Sequence, residues 1–91
     1  MDDMELERSL KGIGKACFVK HYELFRDKSR TDSPFLVDYL MKNENFKEDG
    51  AKIRISFAKR IFNAKREKDA LKFCAKARIP SELAHKARML S

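Results

Sequence analysis

Residues 51–62, AKIRISFAKRIF, carry two hydrophobic periods at once. Ile53, Ile55 and Phe57 alternate with Lys52, Arg54 and Ser56, which is the spacing of a half-buried strand. The alternation then fails. Ala51, Ile55, Ala58 and Phe62 instead fall at i, i+4, i+7 and i+11, with Ile53, Phe57 and Ile61 widening the same stripe. A strand would stop after Phe57 and leave Ala58–Arg66 without a pattern. Glu48 and Asp49 stand just upstream, where negative charge suits a helix N-terminus. The spacing therefore predicts a helix over 48–66, with Ile55, Ala58 and Phe62 buried and Lys52 and Lys59 exposed.

The same period recurs along the chain. From Ile13 to Asp27, Cys17, Phe18, His21, Tyr22, Leu24 and Phe25 share one half of a helical wheel and Lys15, Lys20, Glu23 and Arg26 the other. The run DKSRTDS reads as a loop. Ser33 followed by Pro34 is a helix start, a hydroxyl cap before a proline whose missing N–H costs nothing there. The helix it opens, 33–42, buries Phe35, Leu36, Val37, Leu40 and Met41. A further helix over Glu67–Ala77 turns Ala70, Leu71, Phe73, Cys74 and Ala77 inward, and Ser81 with Glu82 opens a last one with Leu83, Ala87 and Leu90 inside. Residues 1–10 carry only a turn or two before Gly12 and Gly14 loosen the chain, so they are expected to fray. The fold class is all-α: a compact bundle of about five helices with a helix-turn-helix-like pair at 33–42 and 48–66. Its core is expected from Phe18, Tyr22, Phe25, Leu36, Leu40, Ile55, Ala58, Ile61, Phe62, Leu71 and Leu83.

A chain of 91 residues is one domain, and 43% hydrophobic content is too apolar for a disordered segment. No run is long enough to span a membrane, and the acidic start MDDMELE is not that of a signal or transit peptide. The expected location is cytoplasmic. Cys17 and Cys74 are too few and too distant for a metal site, and a reducing compartment argues against a disulfide.

Charge changes the picture further. Residues 1–33 hold seven acids and seven bases, whereas 34–91 hold seven acids and fourteen bases, so the whole net charge of +7 lies in the second part. Between Ala51 and Arg66 there is no acid at all. Lys52, Ser56, Lys59, Arg60 and Asn63 share one helical face, followed by Arg66. Lys68, Lys72 and Lys76 form a ridge at i, i+4 and i+8 on the next helix. Lysine and arginine neutralise phosphates, while arginine and asparagine can also bond base edges in the major groove. A merely solubilising face more often alternates Glu with Lys.

These residues point to nucleic acid, duplex DNA above all, as the partner. The rival is a protein-interaction module that docks an acidic partner or self-associates. A homodimer would bury surface that a core this small leaves open and would match a two-fold site. The expected connection, Asn43–Lys47, is longer than the usual helix-turn-helix turn and lacks glycine. Arg54 falls inside the apolar arc, where it must snorkel out along its stem or pair with an acid such as Asp38. No nucleophile–base pair, metal-ligand spacing or phosphate loop accompanies these features. Neither an enzyme, a cofactor nor a small-molecule substrate is expected.

Overall fold

The computed structural model describes residues 1–91, folded into eight helices without a strand. The all-α expectation holds, and the larger helix count comes from the helix at the N-terminus, from a break within the amphipathic run after Ile13 and from one short turn in the expected loop.

The first helix, α1 (Asp3–Ile13), occupies the segment expected to fray. Asp2 caps it by accepting from the Glu5 amide at 2.8 Å, and Leu6, Leu10 and Ile13, at i, i+4 and i+7, are completely buried. Gly12 does not break it. A Cβ there would lie 2.5 Å from the Phe57 ring, so glycine is what lets α1 approach that ring. Gly14 ends the helix with φ +93°, a conformation that L side chains rarely adopt.

The amphipathic run that follows is two helices, α2 (Lys15–Lys20) and α3 (Tyr22–Arg26), bent at His21. That ring is 4% exposed, and its Nε2 lies 3.0 Å from the Glu44 carboxylate, which also accepts from Lys20 at 3.0 Å. The expected loop contains one helical turn, α4 (Lys28–Thr31), capped by Asp27. The fifth helix, α5 (Pro34–Glu44), begins with proline as expected, but Ser33 does not cap it. Its hydroxyl turns back to donate to the Arg30 carbonyl at 3.1 Å.

Asn45 ends α5 with φ 58°, and α6 (Glu48–Asn63) starts three residues later. The connection is shorter than expected, and asparagine takes the left-handed position that glycine usually fills. Residues 51–62 are helical throughout, ending the strand alternative. The helix stops at Asn63 rather than at Arg66, because Lys65 turns left-handed with φ 57°. The chain continues through α7 (Glu67–Ala75) to α8 (Ser81–Leu90).

Helix α6 is the axis of the fold. It packs most extensively on α1 and also touches α3, α5 and α7, while α7 and α8 form a second closely packed pair against α2. Ala51, Ile55, Ala58 and Ile61 are its buried face. Phe18 centres an aromatic cluster, with ring centroids 5.7 Å from Tyr22, 6.2 Å from Phe25 and 6.0 Å from Phe62. Phe62 and Leu83, expected in the core, are only half-buried against it. Leu6, Leu10, Ile13 and Val19 are fully enclosed in their place.

Candidate nucleic-acid interface

The apolar stripe that seats α6 in the core leaves its opposite side to solvent. Lys52, Ser56, Arg60 and Asn63 are all exposed there, at i, i+4, i+8 and i+11. Ile53 joins them at 54% exposure. Ser56 and Asn63 are free of intramolecular side-chain hydrogen bonds, and the Arg60 guanidinium lies over the Phe57 ring at 5.7 Å without an acidic partner. Lys52 is 3.3 Å from Glu48, but both side chains are more than half exposed, so water and salt screen the pair.

Lys59 sits at the edge of this stripe, half-buried, and its ammonium meets the Asp32 carboxylate just beyond α4. The hydrogen bond from Lys59 holds that carboxyl below its ordinary range, and the charge of Lys28 adds to the effect. A cleft of about 410 Å³ opens around the pair, between α4 and α6. Arg26, Lys28 and Asn63 line it together with Phe62. Sequence alone does not single out Arg26 and Lys28, because the acids of residues 1–33 cancel their charge in any local sum.

The remaining expected residues divide. Arg66 is occupied: it donates to Asp3 at 2.6 Å, to Asp69 at 2.8 Å and to the Met1 carbonyl. The bonds to Asp3 and then Asp69 raise its pKa further, and together they clasp the start of α1 to α7. Lys68 donates to the Leu90 carbonyl at 2.6 Å, satisfying one of the orphan acceptors at the end of α8. Lys72 and Lys76 of the ridge stand exposed with neither an ion pair nor a side-chain hydrogen bond.

Arg54, the misfit of the apolar arc, does not pair with Asp38. Its guanidinium stacks 3.8 Å from the Phe46 centroid, and Nη1 donates to the Gly50 carbonyl at 3.0 Å. A Cβ at Gly50 would stand 3.2 Å from Nη1, close enough that the guanidinium would have to shift slightly. The Arg54 Nε is left buried without a partner. Both thiols are buried, and desolvation pushes Cys17 up to about 11 and Cys74 up to about 12. No group of three His, Cys, Asp or Glu side chains is placed to hold a metal ion, and no helix is long and apolar enough to cross a membrane. Neither a protein-family model, a curated protein nor a solved structure matches the chain.

Proposed function

We propose that the protein binds nucleic acid, duplex DNA in particular, through the exposed face of α6. The observation that carries this reading is the character of that face. Arg60 and Asn63, two side chains able to bond base edges, stand exposed and unpaired on a helix with no acid after Asp49. The three-residue turn before α6 supports it, being the length found in helix-turn-helix pairs. Lys52, Lys72 and Lys76 supply phosphate contacts. Arg66 and Lys68 are left out of the interface, because their donors hold the fold together. Ser56 sits between Lys52 and Arg60 on the stripe, and Ile53 beside it offers an apolar surface for a thymine methyl.

A second reading is favoured by the exposed apolar side chains. Ile53 at 54% and Phe35 at 46% suit a protein contact, whether with an acidic partner or with a second copy of the chain. Salt separates the two. Affinity for a random duplex is expected to fall steeply between about 50 and 200 mM salt, by roughly tenfold or more for every few phosphates engaged. No measurable duplex binding at about 50 mM salt, or binding indifferent to salt, rules out the nucleic-acid reading and leaves the protein contact.

A further inference from the structure

We propose that the cleft between α4 and α6 is a phosphate site, in which Arg26, Lys28 and Lys59 take a backbone phosphate of the bound nucleic acid where Asp32 lies in the free protein. The inference rests on the nucleic-acid reading of α6 and extends its footprint to residues outside that helix.

The cleft already holds an anion. The Asp32 carboxylate is bonded to Lys59 and lies within reach of the charge of Lys28, so its oxygens mark a position where negative charge is stabilised from two sides. A phosphodiester carries the same single charge on two free oxygens. The resident carboxylate is also easy to displace: the Asp32 and Lys59 side chains are 48% and 40% exposed, so the pair is screened by water and Asp32 can swing into solvent. Displacement then leaves three cations facing one phosphate. Arg26 and Lys28 are exposed and have no ion-pair partner of their own, and the Arg26 guanidinium is steadied over the Tyr22 ring at 5.7 Å. Glu67, at the cleft wall, is the one other acid there.

Position strengthens the case. Asn63 lines the same cleft and belongs to the exposed stripe of α6, so a phosphate held by Lys28 and Lys59 lies beside the residue proposed to read bases. On the other flank of α6 the arrangement differs. Arg60 and Phe57 there border a depression shared with Met1 and with Glu5 and Arg8 of α1, where no carboxylate–cation pair is formed to mark an anion position. The α4 side is therefore the one where the fold already stabilises a negative charge.

The test measures duplex affinity against salt for single variants. Arg26→Ala and Lys28→Ala are each expected to weaken binding several-fold and to lower the salt slope by part of the roughly 0.9 that one phosphate contributes. Lys42→Ala, an exposed cation on α5 away from the cleft, serves as the charge-matched control and is expected to leave the slope unchanged. Asp32→Asn is expected to tighten binding several-fold, and that gain should vanish when Lys59 is also alanine. Amide signals of Asp32 and Asn63 should shift with duplex but not with the same concentration of phosphate supplied as inorganic phosphate. Equal effects of Lys28→Ala and Lys42→Ala, or a gain from Asp32→Asn that survives without Lys59, overturn the site while the reading of α6 stands. Equal shifts with inorganic phosphate overturn its assignment to the nucleic-acid backbone. Absence of any duplex binding by the wild type removes both.

Discussion

Gly12 of α1 and Phe57 of α6 meet so closely that a Cβ on residue 12 would sit 2.5 Å from one ring carbon and 2.6 Å from the next. In an isolated helix, Gly12→Ala would gain about 0.5–1 kcal/mol from backbone entropy. Here the ring has to move, and overpacking costs about 1–3 kcal/mol. The variant is expected to be net destabilised in urea unfolding. Phe57→Leu should relieve most of the added cost, so the double variant tests whether the two residues are coupled. Additive effects would mean that they are not.

The face of α6 is expected to fail in two distinct ways. Lys52→Ala, Lys72→Ala and Lys76→Ala should weaken binding to every duplex alike and reduce the salt slope by roughly one unit each. Arg60→Ala and Asn63→Ala should instead reduce discrimination between sequences, by about 1–3 kcal/mol wherever the deleted side chain makes a bidentate pair with a base. Competition between random and selected duplexes separates the two classes. Uniform behaviour of all five variants would reduce the face to a charged surface.

Arg66→Ala is expected to act on stability. The guanidinium joins Asp3, Asp69 and the Met1 carbonyl, so its removal frees the start of α1 from α7 and leaves two carboxylates without their shared cation. The melting temperature should fall further than for Arg60→Ala, while the salt slope of duplex binding stays at the wild-type value. A reduced slope with unchanged melting would return Arg66 to the interface.

Glu44 makes stability depend on pH. Burial pushes its carboxyl up, but the hydrogen bonds from His21 and Lys20 outweigh burial, so the group lies below its ordinary value of 4.5. A carboxyl depressed in the folded state contributes stability that is fully present above the unfolded value and is lost as pH falls through the folded one. Unfolding free energy should therefore drop below pH 4.5, and more steeply than for Glu44→Gln. The two curves should converge once the wild-type carboxyl is protonated. Parallel curves down to strong acid would deny Glu44 this part.

Legibility in the sequence follows the size of the repeating pattern. Helix α6 is readable because sixteen residues repeat one apolar stripe, and the same stripe shows which side chains point outward. Helix α4 is not, since four residues contain barely one turn and their hydrogen bonds come from an Asp27 cap. Gly12 misleads for a physical reason. Glycine weakens a helix locally, yet this one is kept by its closeness to a residue 45 positions away (57 − 12). Arg66 has a local partner in Asp69, but its bonds to Asp3 and the Met1 carbonyl, like that of Lys68 to the Leu90 carbonyl, are made only by the tertiary fold. Charge is visible in a sequence. Whether that charge is already engaged is not.

Helix α6 both seats the core and bears the face proposed to meet nucleic acid, and this has a thermodynamic consequence. Its backbone is ordered before any ligand arrives, since Ala51, Ile55, Ala58 and Ile61 are held against four neighbouring helices. The entropy of ordering the recognition element then belongs to folding and not to association. Binding should proceed with little heat-capacity change beyond that of the buried interface itself, unlike the large change of a segment that folds on its target.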